Sequence, residues 1–195
     1  MFSHSLISAA HCRFCQTQST VPMCYTRMVE CDRNFLALTA LENYFRDKVS
    51  QTGYDLFAVF ARFEYAMKKG GFRRANRAEA AWRTFADTLP AGFFAQMQAA
   101  PEAAIYFAAP PDRLVTDGAD SVRWSGAPIT PTTAADLFDS INIARNNLFH
   151  GDKQHDRQRD TDLMAAALFI LNAAYDAAAG DARFNAFIAE MAYGL

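Results

Sequence analysis

A chain of 195 residues can bury a full core in one domain, and 51% apolar with 13% aromatic content, 17 Phe among them, excludes general disorder. Nineteen Lys and Arg against 21 Asp and Glu leave a formal charge of −2, which excludes the whole-domain basic signature of an avid duplex binder. No apolar run reaches the roughly 18 uncharged residues of a membrane span, and Phe2 to Ala10 is too short and too interrupted by His4, Ser5 and Ser8 for a signal peptide, so the expected location is the cytoplasm.

All four cysteines, Cys12, Cys15, Cys24 and Cys31, fall in the first 31 residues. Cys12-x2-Cys15, with His4, His11 and the later cysteines, offers donors for a tetrahedral zinc site. Cys24 and Cys31 stand seven apart, however, so the second short knuckle is missing. The competing expectation is a poorly structured extension over 1–31 ahead of a single helical domain over 32–195. Met23 and Met28 leave room for a later start.

From Arg33 the pattern becomes regular: Phe35, Leu36, Leu38, Leu41, Tyr44 and Phe45 recur at three and four, as a helix with one buried side requires. Gly53 interrupts this pattern, and Asp55 is the expected cap of a second helix through Lys69 with Leu56, Val59, Phe60, Phe63 and Met67 inward. Lys68 and Lys69 suit its last turn and Gly70-Gly71 its end. Arg77 to Leu89 reads as a shorter helix around Ala81, Trp82 and Phe85, and Gly92 to Ala100 as another with Phe93, Phe94 and Met97 inward. Residues 109–130 read as irregular connection with some short extended structure, since Gly118, Gly126 and Pro128 punctuate them.

Thr130-Pro131 marks the start of a helix running to about His150. After a polar stretch, Asp160 to Ala179 carries apolar residues widely around its axis, as a central helix does, and Asp181 caps a final helix with Phe184, Phe187, Ile188 and Met191. The sum is an all-α bundle of about five to seven helices.

The helix ending at His150 carries the chemistry. Leu137, Ile141, Ala144 and Leu148 form its core stripe, while Phe138, Asn142, Arg145 and Phe149 share an adjoining sector that suits a partly wet surface covered by a partner. Asn146 and His150 stand roughly opposite the stripe. A histidine titrating near neutrality takes a proton from a ribose 2′-hydroxyl, and an arginine holds a phosphate bidentately, so the pair suits RNA cleavage without metal or cofactor. The alternatives are structural: Arg145 pairing with Asp139 or Asp152, and His150 closing the helix before Gly151. At about 100° per residue, Arg145 and His150 are separated by about 140°, so one straight helix does not aim both at a point.

Arg145-Asn146-x3-His150, in the penultimate long helix of a small helical chain, resembles the signature of the HEPN superfamily: an arginine, a polar residue, and a histidine after four to six intervening positions. Phe60-Ala61-Arg62-Phe63-Glu64-Tyr65-Ala66-Met67-Lys68, followed by Gly71-Phe72, is similar to an early helix of plasmid- and phage-associated members. The resemblance spans roughly Arg33 to Leu195. It implies a twofold homodimer whose facing signature helices form one cleft, and metal-independent ribonuclease activity in toxin–antitoxin or phage-defence systems. By position it makes His150 the general base or acid, Arg145 the phosphate binder and Asn146 the residue that orients the histidine or backbone. Some members are inactive and serve as dimerisation or nucleic-acid-binding modules. Lys68, Lys69, Arg73, Arg74 and Arg77, with Lys153, Arg157 and Arg159 after the signature, are the candidate RNA contacts, and Phe72 and Phe149 the candidate stacking residues. These basic groups also read as ordinary solvated faces, and Asp152, Asp156 and Asp160 dilute the second.

Overall fold

Ser50 has extended backbone, and its Oγ accepts a hydrogen bond from the Gly53 N–H at 3.3 Å, satisfying a donor that the first turn of a helix leaves open. Helix α1 (Gln51–Lys69) therefore starts before Asp55, and Gly53 lies inside it rather than interrupting it. The glycine serves packing: a Cβ there would lie 2.8 Å from Val49 Cγ1 and 3.3 Å from Met164 Sδ. The computed structural model describes residues 49–149 and 158–192, with Asn43, and all but Asn43 belong to the unit Phe45–Leu195. The cysteine segment and most of the helix expected from Arg33 lie outside the described residues.

The inward stripe of α1 is as expected, with Leu56, Phe60, Phe63 and Met67 buried. Gly70 ends the helix, its N–H donating to Ala66 O at 2.7 Å. A Cβ on Gly70 would meet the Phe187 backbone at 2.5 Å, so this residue lets two main chains cross. The next helix is shorter than expected: α2 (Trp82–Thr88) begins five residues past Arg77. Residues 72–81 instead fold back on themselves, with Arg74 N donating to Glu79 O at 2.9 Å, Ala81 N to Phe72 O at 2.8 Å, and Asn76 at φ 60°. Those cross-loop bonds take up the Ala81 N–H and the Glu79 carbonyl, both of which a helix from Arg77 would have used.

Helices α3 (Phe93–Ala99) and α4 (Ile105–Ala108) flank a 3-10 turn at Pro101–Ala103. An antiparallel hairpin follows, β1 (Leu114–Thr116) and β2 (Val122–Trp124), with Leu114 opposite Trp124 and Thr116 opposite Val122. It lies within the stretch read as irregular connection; three-residue strands are too short to print a period of two in the sequence. Asp112 anchors its base by accepting from the Arg113 and Gly126 N–H groups, at 2.7 and 2.8 Å, and from the Ser125 hydroxyl.

Helices α5 (Ala134–Phe149), α6 (Gln158–Ala179) and α7 (Asn185–Ala192) complete an all-α bundle of seven helices among the described residues. α6 packs on α1, α3, α4, α5 and α7, which accounts for its wide apolar surface. It is also the described helix long and apolar enough to cross a membrane by length and composition alone. The core centres on an aromatic cluster in which Phe85 contacts Phe63, Phe72, Phe138, Phe184 and Phe187 at centroid separations of 5.0 to 5.9 Å. Such pairs add to the area they bury, by about 0.5–1.5 kcal/mol each.

Candidate functional site

Thr133, not Thr130, caps α5: its carbonyl accepts from Leu137 N at 3.0 Å and its Oγ from Asp136 N at 3.1 Å. Asp136 in turn accepts from the Thr132 hydroxyl at 2.8 Å and the Thr132 N–H at 3.3 Å, a reciprocal arrangement like a capping box. Those hydroxyl bonds, with the nearby Arg83 charge, hold the Asp136 carboxyl below the ordinary range against the opposing effect of burial. The helix thus enters at a defined angle, and its core stripe is as read from sequence, with Leu137, Ile141 and Ala144 buried and Leu148 half-buried.

Phe138 corrects the expected partner-facing sector. It is 0% exposed, stacked on Trp82 at 5.6 Å and edge-on to Phe85 at 5.9 Å, so it belongs to the core of this chain and offers nothing to a second copy. The reason is that α2 packs against α5, so its Trp82 and Phe85 cover Phe138 beside the stripe residue Leu137. Asn142 is half-buried, and its Nδ2 donates to Phe138 O at 2.9 Å.

Arg145 is half-buried with its guanidinium 5.0 Å from the centroid of Phe60, and its Nη1 donates to Asn146 Oδ1 at 2.9 Å. Phe60 is itself stacked on Trp82 at 4.8 Å. A cation–π contact of this kind stabilises by about 0.5–2 kcal/mol and restricts the side chain. Asn146 is exposed and oriented by the arginine beside it. Asn147, inside the signature but assigned no role from sequence, is 6% exposed and donates from Nδ2 to Asp112 O at 2.8 Å, tying α5 to the base of the hairpin. α5 ends at Phe149, whose side chain lies outside the description, and His150, Lys153 and Arg157 lie outside the described residues.

A cleft of about 370 Å³ opens beside Asn142 and Asn146. Its lining includes Glu64 and Lys68 of α1, Arg74 and Glu79 of the 72–81 loop, Trp82 and Arg83 of α2, and Asp139 of α5. The structure so brings the signature face together with two of the expected basic residues, Lys68 and Arg74. Lys69, Arg73 and Arg77 are exposed and are not among the cleft's lining. Much of the positive charge is already matched. Glu79 lies 3.1 Å from Arg74 and 3.9 Å from Arg77, and Arg83 bonds Asp139 and sits 3.5 Å from Asp136. The charge of Asp139 and its hydrogen bond to Arg83 hold that guanidinium more firmly protonated than usual. Asp139, a candidate partner for Arg145 on spacing, is thus engaged by Arg83. Arg159, beside the second basic group, donates to Ala109 O and Pro110 O at 3.1 and 2.9 Å and braces a loop. Phe72 is 8% exposed and stacked on Phe184, so it is a core residue rather than a platform for bases.

Sequence reasoning passed over Glu64, Trp82, Arg83 and Asp139 as site residues. A signal was present: Asp139, Asn142 and Asn146 recur at three and four, and Glu64 and Lys68 at four, each the spacing of one helical face. Trp82 Nε1 donates to Glu64 Oε1 at 3.3 Å, a link between helices that no local spacing reveals. No group of three or more His, Cys, Asp or Glu assembles as a metal site among the described residues, and the cysteine candidates lie outside them. The chain matches no protein-family model, no curated protein and no solved structure.

Proposed function

We propose that the chain is a HEPN-type endoribonuclease that cleaves RNA in the cytoplasm without metal or cofactor, as a twofold homodimer with a composite site. In this reading it is a toxin of a toxin–antitoxin or phage-defence system, restrained by a protein antitoxin. The observation that carries the reading is the Arg145–Asn146 pair, held on Phe60 at the end of α5 and beside a polar cleft. The chemistry follows from the residue types. His150 removes the proton of a ribose 2′-hydroxyl, the 2′-oxygen attacks the adjacent phosphorus, and the bond to the 5′-oxygen breaks. The leaving oxygen takes a proton, and the products are a 2′,3′-cyclic phosphate and a free 5′-hydroxyl. Arg145 neutralises charge gathering on the phosphoryl oxygens. DNA lacks the attacking group.

Incubation of purified protein with single-stranded RNA in EDTA tests the reading. Wild type is expected to leave cyclic phosphate ends, and Arg145→Ala and His150→Ala to slow cleavage by about 100-fold or more, the usual range for a positioned acid–base or oxyanion contact. Equal cleavage by all three proteins removes the site assignment. An enforced monomer is expected to be inactive. The matched charges of Arg74, Arg77 and Arg83 leave little free positive charge at this face and favour a second, non-catalytic reading, a dimerisation module or one that binds nucleic acid only weakly; a stable dimer that leaves RNA intact identifies it.

A further inference from the structure

The cleft beside Asn146 has the wrong charge balance for a groove that tracks a phosphate backbone. Its lining carries three cations, Lys68, Arg74 and Arg83, and three anions, Glu64, Glu79 and Asp139, and two of those cations are already paired. Its volume of about 370 Å³ lies near the lower end of small-ligand pockets, roughly 300–1,000 Å³, and suits one nucleotide rather than a strand. Two of its groups stand apart from the ion pairs. Lys68 has no ion-pair partner among the described residues, and Glu64 has one hydrogen-bond partner there, the Trp82 indole N–H. That bond fixes the orientation of a half-buried carboxylate and leaves most of its acceptor capacity unused.

We infer that this cleft takes a single unstacked guanine nucleotide of the RNA, with Glu64 reading the base edge and Lys68 meeting a phosphate. The inference rests on the reading above for RNA as the ligand. A carboxylate offers only acceptors, so it favours an edge with two adjacent N–H donors. Guanine presents the N1–H and the N2 amine side by side. Adenine and cytosine each place a ring-nitrogen acceptor beside their amine, and uracil flanks its one N–H with two carbonyls; all three set an acceptor against the carboxylate, which repels them. Asn142 and Asn146, which supply both donors and acceptors, lie on the α5 wall of the same cleft.

The Trp82 indole N–H reports on the site directly, because it donates to Glu64. Its proton resonance in the full chain, told from that of Trp124 with a Trp124→Phe variant, is followed during titration with 5′-GMP, 5′-AMP, 5′-CMP, 5′-UMP and guanosine. GMP is expected to shift it at a concentration about tenfold or more below the others, as a good bidentate base contact discriminates. Glu64→Gln is expected to abolish that preference, and Lys68→Gln to weaken GMP to the level of guanosine while leaving guanosine unchanged. Lys68→Gln alters a partly exposed side chain, so it remains informative if Glu64→Gln fails to fold. GMP binding no tighter than UMP, or undiminished in folded Glu64→Gln, overturns the inference. Guanine-selective binding without RNA cleavage retains the nucleotide site and removes the nuclease reading. Cleavage with no base preference at the Trp82 resonance does the reverse.

Discussion

The two halves of α5 use polar residues in opposite ways. In the first half, Asp136 and Asp139 are bound by Thr132, Thr133 and Arg83, and Phe138 between them is sealed in the aromatic core. In the second half, Asn142, Arg145 and Asn146 stand half-buried or exposed beside a cleft, Arg145 and Asn146 steadied by Phe60 and by each other and Asn142 by the Phe138 carbonyl. Charges that pair within the fold hold the first half in place, whereas Arg145 rests on an aromatic face and a neighbouring amide. Only Asn147 crosses the division, a buried amide in the second half that works for the fold.

The comparison breaks most visibly at Phe60, which belongs to both the core and the support of Arg145. Phe60→Ala is expected to lower stability by about 3–5 kcal/mol, measured by denaturant unfolding. Phe60→Leu is expected to cost less than about 2 kcal/mol yet reduce the proposed RNA cleavage, because the cation–π contact is gone. If wild type cleaves RNA and Phe60→Leu cleaves it equally fast, Phe60 supports the core alone. Asn147→Ala comes next. It leaves the Asp112 carbonyl without that donor and is expected to cost about 1–3 kcal/mol, with loss of amide-exchange protection around the hairpin base. An unchanged unfolding midpoint would show that this bond does not hold the hairpin base.

At the other end of the helix, Thr133→Ala removes the cap and is expected to cost about 1 kcal/mol, read as a lower thermal midpoint, with the proposed cleavage unaltered. The smallest effect is in pH. Asp136 has its carboxyl held below the ordinary value of 3.8, first by the Thr132 hydroxyl. Its contribution is complete above that value and is lost as pH falls through the lower, folded-state value. The unfolding midpoint is therefore expected to fall in acid more steeply for wild type than for Asp136→Asn. Equal slopes would show that Asp136 does not set the acid response of this half.

Most of the helical order was legible before any coordinates because it rests on local spacing. The burial of Leu56, Phe60, Phe63 and Met67 follows from a period near 3.6, and Gly70 ends α1 where a glycine after two lysines says it should. Several of the errors share a physical cause, which is that a contact outside the local period replaced a local rule. Gly53 reads as a break but sits in α1, where a side chain would crowd Val49 and Met164. Arg77 reads as helix but lies in a loop closed by Phe72 and Ala81. Phe138 reads as a partner surface until α2 is laid over it.

The sequence by itself determined that the described domain is mostly helical, the apolar face of α1 and the core stripe of α5, and that Arg145 and Asn146 leave that stripe, since each depends on residues within a few positions. Tertiary structure alone decided that Glu64 is held by Trp82, that Arg83 takes up Asp139, and that Phe60 lies under Arg145. These partners are separated by 18, 56 and 85 positions along the chain. A side chain has no local signal for a neighbour so distant, and only the packing of the bundle brings the two together.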